Sequence, residues 1–344
     1  MAEKWKSNLE KTDDPIWWFD DPRIDEVRKR MTSEKQINAV CEWSFVWTQY
    51  SGKSYYYHLH GIEHDVISHP SAKPFFPWLK DEHFFTYEGD PIFNRYFGIN
   101  QGRTKNPPLD LNVFLKEINP YIQFGPEWMI PPYKEIYSRN NPIVAGEKPV
   151  IILNNKYNLE FYPPKPINFF SYEFMDLFCK KFKDMYDIWY IRHNKGNASD
   201  YTDDRHPPID NNYNDYQIMA NKHKCKTLYD FQEETGLPYN VVQMHMLAKA
   251  KYIVTLNGGN GCLSSYFGDE VWQWGNPDGP FSDLPAFRSL GWYNMLNPNG
   301  RVYGTTDWKT MLAIIEHDWV TKNKKYKPPE KKKTVFIKDM PHLV

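Results

Sequence analysis

Long apolar runs are missing from this sequence. No stretch reaches the roughly 18 residues that a membrane-crossing helix needs. An excess of charge of one sign is missing too: 42 Lys and Arg face 43 Asp and Glu, for a net charge of −1. That balance argues against a dedicated nucleic-acid binder. Cysteine is scarce, with only Cys41, Cys179, Cys225 and Cys262. None of them has the C-x-x-C spacing of a zinc or redox site, so buried free thiols in a reducing compartment are expected. The first 14 residues are charged and have no apolar core segment, so no secretory signal is expected. Several catalytic signatures are also absent: H-E-x-x-H, the G-x-S-x-G elbow, a G-K-S/T following the glycine turn at 257–261, and the Asp-x-Asp that holds a divalent metal on a sugar nucleotide.

What is present is material for a core. The chain has 344 residues, of which 41% are hydrophobic, enough for two ordinary domains. Aromatics reach 17%, with 24 Tyr and 13 Trp. Such rings stack on the apolar faces of sugars, or simply fill a core. Helices are expected over 25–31, 33–47 and 111–118, strands over 55–59 and 65–67, and an ordered aromatic loop over 124–132. The second half is sharper. Apolar runs at 149–153 (PVIIL), 188–191 (IWYI) and 252–256 (YIVTL) read as buried parallel strands. A further strand is expected at 270–274 and a short one at 227–229. Helices are expected over 171–184, 239–250 and 262–267, with a last one from Asp307 to about 319. Strands alternating with helices predict a parallel sheet that binds ligands at the carboxyl ends of its strands. The basic segment 322–333 reads as a solvated arm.

Four constellations can carry chemistry. The first is the turn Asn257, Gly258, Gly259, Asn260 and Gly261, between a buried strand and a helix. Glycines permit positive φ and close approach of a ligand, and backbone N–H groups there suit a diphosphate. Ser264 and Ser265 are expected to add hydroxyl donors. A ligand-free β–α turn is the plainer alternative. The second is Arg192 and His193 at a strand end, where the guanidinium would pair with phosphate or with a nearby carboxylate. The third is Asn155, Lys156 and Tyr157, which offer a second cation and a stacking ring, or an ordinary polar loop. The fourth is the segment from His58 to Asp65, with Glu63, His64 and Asp65 as candidate general bases. Glu127 and Trp128 are expected to line an acceptor cleft.

Trp189-Tyr-Ile-Arg192 and Asn257-Gly-Gly-Asn-Gly261 followed by Leu-Ser-Ser-Tyr-Phe resemble the donor-binding domain of glycosyltransferases of the two-domain GT-B architecture. Phe124-Gly-Pro-Glu-Trp128 and Gly258-Gly-Asn260 are similar to segments of glycosyltransferase-like proteins of large algal viruses. The chain departs from fucosyltransferases in having His193 after Arg192, so that motif leaves the donor open. The resemblance implies an α/β fold of two Rossmann-like lobes with the donor cleft between them. An acceptor-side lobe would span 1–147, a nucleotide-sugar lobe 148–320, and a basic tail 321–344. It implies sugar transfer from a UDP- or GDP-type donor to a glycan hydroxyl, with no essential cofactor. The expected partners are a nucleotide sugar and a glycan acceptor, with no nucleic acid and no transmembrane segment. The expected location is the cytoplasm, that of a virus-infected host cell by the resemblance. A non-catalytic carbohydrate- or nucleotide-binding protein on the same fold is the alternative.

Overall fold

A computed structural model describes residues 36–39, 46–68, 70–86, 127–157, 168–192, 213–276 and 291–321. The chain divides into two compact units, Met1–Asp307 and Trp308–Val344. The larger unit is built on a six-stranded, wholly parallel sheet. Its strands are β4 (Val150–Asn154), β5 (Asp187–Ile191), β6 (Lys226–Thr227), β7 (Ala250–Leu256), β8 (Glu270–Trp274) and β9 (Arg301–Thr305). Their spatial order is β6-β5-β4-β7-β8-β9. The chain starts in the middle, winds outward through β5 and β6, then returns to the other side of β4 as β7. This is the doubly wound order, and its direction of winding reverses between β4 and β7. The six-stranded sheet flanked by helices is a mixed α/β arrangement compatible with a Rossmann-like fold.

The apolar runs explain why these segments are strands. All five residues of β4 are buried, as a strand covered on both faces requires. Side chains alternate along it. Val150 and Ile152 enter a core with Val242, Met246, Ile253 and Val271. Helix α3 (Tyr172–Phe182) lies between β4 and β5 in the chain. That helix starts where Ser171 Oγ accepts the Phe174 N–H at 3.2 Å, a side-chain N-cap. Phe174, Phe178 and Phe182, four residues apart, are fully buried, each contributing about 2 kcal/mol of apolar burial. Helix α4 (Leu228–Thr235) begins in a capping box between Thr227 and Asp230 and ends at Gly236, at φ +68°. Helix α5 (Tyr239–Lys249) precedes β7, and α6 (Gly259–Ser265) follows it. The short helix α7 (Gly291–Met295) precedes β9.

The first half holds a separate parallel sheet of β1 (Gln36–Asn38), β2 (Asp65–Ser68) and β3 (Phe84–Thr86), in that order. A π-helical turn, Val46–Tyr50, runs directly into helix α1 (Ser51–Leu59). A six-residue helix α2 (Tyr133–Ser138) lies further along the chain. The apolar core is continuous across residues 147 and 148, with Trp47, Phe75 and Tyr133 in the same cluster as Ile152 and Ile253. In the second unit, α8 (Trp308–Glu316) leads into a π-helical turn, His317–Thr321.

Several expectations need correction. Residues 55–59 are helical, not a strand, because Ser51, Ser54 and Tyr57 form a buried stripe at helical spacing. Residues 36–38, within the helix expected over 33–47, form strand β1, which pairs with β2. Helix α4, helix α7 and strand β9 were not expected. The segments 25–31, 111–118, 124–126, 194–212 and 322–344, together with His193, lie outside the described residues. Among the described residues no helix is long and apolar enough to cross a membrane.

Candidate functional site

The reversal between β4 and β7 places two loops side by side at the carboxyl ends of these strands: Asn155-Lys156-Tyr157 after β4 and Asn257-Gly258 after β7. Open α/β sheets bind ligands in this crevice. Gly258 has φ 110° and ψ −154°, a region essentially restricted to glycine. A β-carbon placed on it would stand 3.6 Å from Lys156 Nζ. The half-buried Lys156 ammonium therefore sits across from bare backbone.

The other two glycines of the turn have different reasons. A β-carbon on Gly259 would lie 3.1 Å from the Trp47 ring, and one on Gly261 would press to 2.7 Å on Gln273 Oε1 and 2.9 Å on the Leu256 carbonyl. Gly261 thus lets α6 pack down on the sheet. Gly259 makes room for an indole from the first half of the chain, whose carbonyl also accepts the Tyr266 hydroxyl at 2.8 Å. Trp47 was not among the expected site residues. Its sequence neighbourhood carries no signal, since the contact is made across more than two hundred residues.

The asparagines are tied into the scaffold. Asn260 Nδ2 donates to Asn154 Oδ1 at 3.2 Å and to the Asn155 carbonyl at 3.4 Å, joining the turn to β4. Asn257 Oδ1 accepts from the Tyr293 hydroxyl at 3.0 Å. Asn155 is buried; its Oδ1 accepts the Phe170 and Lys156 N–H groups at 2.9 Å, and its Nδ2 donates to the Tyr190 hydroxyl at 2.9 Å. Ser264 and Ser265 face inward. Ser264 Oγ accepts from Asn154 Nδ2 at 3.4 Å, whereas Ser265 Oγ donates to the Gly261 carbonyl at 2.7 Å and accepts from Gln273 Nε2 at 3.1 Å. Neither is exposed, so these hydroxyls hold α6 on the sheet rather than facing the crevice.

Arg192 is enclosed as well. It is 1% exposed and ion-paired with Asp215, which is 0% exposed. Its Nη2 donates to Asp215 Oδ1 at 2.5 Å and to the Tyr213 carbonyl at 3.0 Å. Burial alone would lower its pKa, but Asp215, together with Tyr190 and Tyr216, offsets this and the net shift is upward. The Tyr190 hydroxyl also donates to Asp215. The guanidinium is thus neutralised from within. Tyr157 stacks on Tyr213 with centroids 4.1 Å apart, and Tyr172 stacks on Tyr213 at 4.6 Å. One face of the Tyr157 ring is therefore covered by protein.

The three base candidates lie elsewhere. Asp65 opens β2 and His83 immediately precedes β3, so both mark the amino edge of the small sheet, the end opposite to where parallel sheets collect ligands. His83, an unexpected member, meets Asp65 Oδ1 at 2.9 Å and Glu63 Oε1 at 3.6 Å. His64 is 5% exposed. Its Nδ1–H donates to the Ile62 carbonyl at 2.9 Å, so Nε2 accepts from Ser54 Oγ, 2.7 Å away. Trp78 Nε1 completes the cluster by donating to Ser54 Oγ at 3.0 Å. Burial lowers the His64 pKa. At the expected cleft residues, Glu127 accepts from the Tyr57 hydroxyl at 2.9 Å, and Trp128 Nε1 donates to the Thr48 carbonyl at 2.7 Å.

Comparison with family models, with curated proteins and with solved structures gives no match. Among the described residues no group of three or more His, Cys, Asp or Glu is placed to hold a metal ion.

Proposed function

We propose that this protein binds a nucleotide diphosphate, carried as a UDP- or GDP-type sugar, in the crevice between β4 and β7, and that it transfers the sugar to a glycan hydroxyl. The observation that carries the reading is the pairing of Lys156 with Gly258, 3.6 Å from ammonium to the absent β-carbon, at the reversal of the sheet. A cation facing bare backbone suits a diphosphate, because the ammonium offsets its charge while the missing side chain lets it approach. Neutralising a leaving diphosphate lowers the barrier to breaking the bond to the sugar. The turn, held by Asn260 and Asn257, gives that cradle a fixed shape. Trp47 against Gly259 brings the first half of the chain to the same turn, which supports a donor site between two parts of the GT-B kind. The absent Asp-x-Asp supports transfer without an essential metal.

The test is a thermal-shift screen over nucleotide diphosphates and their sugars. UDP, GDP or one of their sugars should raise Tm by mass action; no shift with any of them would sink the reading. The alternative, a binding protein without turnover, is favoured by one observation: Glu63 and Asp65 stand at the amino edge of the small sheet, and His64 is enclosed. Hydrolysis or transfer of a bound sugar nucleotide by the wild-type protein separates the two.

A further inference from the structure

Two of the thiols expected as inert core are neighbours. Cys179 on α3 and Cys225 just before β6 have their Sγ atoms 3.7 Å apart, although 46 positions separate them in sequence. Both are free thiols. The segments that carry them are already clamped together: Asp176, on the same helix as Cys179, accepts from Lys222 Nζ at 2.6 Å and from His223 Nε2 at 2.7 Å. A disulfide of about 2.05 Å requires the sulfurs to close by only about 1.7 Å. Access is unequal, since Cys179 is 0% exposed and Cys225 is 8% exposed. Cys179 is also held as the thiol, its pKa pushed up first by its hydrogen bond with Cys225 and then by burial.

We propose that Cys179 and Cys225 form a redox-modification site, closed into an intramolecular disulfide by a small hydroperoxide. Cys225, the more accessible sulfur, attacks the terminal oxygen of the hydroperoxide. The O–O bond breaks, leaving Cys225 as a sulfenic acid and releasing an alcohol, or water from hydrogen peroxide. Cys179 Sγ then attacks Cys225 Sγ; the S–S bond forms, the S–O bond breaks, and the departing oxygen takes up the Cys179 proton and leaves as water. Two thiols have lost two electrons and two protons, and the hydroperoxide has been reduced by the same amount. The bridge staples α3 to the segment that carries Tyr213 and Asp215, the partners of Tyr157 and Arg192.

The experiment treats the full chain with hydrogen peroxide, alkylates the remaining thiols in denaturant, and maps peptides without reductant. The expected result is a Cys179–Cys225 linked peptide, two hydrogens lighter than the separate peptides, that dithiothreitol reverses. Oxidised wild type should also melt higher than reduced, because the bridge closes a long loop in the unfolded chain. Cys225→Ser and Cys179→Ala should each abolish both effects, and either variant suffices if the other does not fold. Alkylation of both cysteines after peroxide, a sulfinic acid on Cys225 with Cys179 unlinked, or linkage of either one to Cys41 or Cys262 would overturn the proposal.

Discussion

Arg192 and Asp215 neutralise each other inside the protein, at 1% and 0% exposure. Buried ion pairs have a characteristic asymmetry: removing one partner strands the other charge, whereas replacing both with apolar groups does not. Asp215→Ala should therefore lower stability by about 3–5 kcal/mol. The double change Arg192→Met with Asp215→Leu should recover most of that loss. Denaturant unfolding of the three proteins checks this; a harmless Asp215→Ala would mean that the guanidinium finds another anion.

The three glycines of the turn should separate in their effects. Gly261→Ala forces a β-carbon onto the Leu256 carbonyl and Gln273, and should lower Tm most. Gly258→Ala forces a side chain into a glycine-only conformation at φ 110°, costing about 1–3 kcal/mol, and also fills the space facing Lys156. It should weaken nucleotide binding beyond its effect on Tm, whereas Gly261→Ala should act through stability. Equal ratios of binding loss to Tm loss in the two variants would contradict the assignment.

Ser265 donates to one turn of its own helix and receives Gln273. Ser265→Ala should cost about 1 kcal/mol of stability and leave nucleotide affinity within twofold. A larger loss of affinity at unchanged stability would return this hydroxyl to the ligand.

The pH dependence follows from two imidazoles, the buried His64 and the half-buried His245. His64 and His245 both have pKa values lowered by burial, partly offset by their hydrogen bonds to backbone carbonyls. A depressed group contributes stability that is present above its unfolded value, 6.5 for histidine, and lost as pH falls from there toward the folded value. Asp176, held low first by Lys180 and then by Lys222 and His223, adds a second loss at lower pH, below the ordinary carboxylate range. Tm should thus be flat around neutrality and fall below about pH 6.5. His64→Gln should flatten the upper part of that fall; an unchanged profile would mean that His64 is protonated in the folded state.

The core strands were legible because a strand covered on both faces must be apolar along its length, as 149–153 and 252–256 are. The glycine turn was legible because it leaves no room for a side chain, through backbone conformation at Gly258 and close packing at Gly259 and Gly261. Helix α1 was misread: Tyr55, Tyr56 and Tyr57 favour strands locally, but burial of Ser51, Ser54 and Tyr57 along one side decides the outcome. Strand β9 was missed because only Val302 of its five residues is buried, so it carries no apolar run. At the site, Lys156 and Gly258 could be placed together from strand order alone. The enclosure of Arg192 could not, because Asp215 reaches it through space from a polar stretch with no pattern of its own.

The most direct measurement is isothermal titration of UDP and of GDP into the wild-type protein and Lys156→Ala at matched salt. Lys156 is half-buried, and the Tm of both proteins is measured alongside so that a loss of affinity is read on folded protein. Loss of one charge-assisted contact, about 1.5–3 kcal/mol, should weaken the binding nucleotide roughly 10- to 100-fold. No heat with either nucleotide in the wild type, or equal affinity in Lys156→Ala, would contradict a diphosphate held between Lys156 and Gly258.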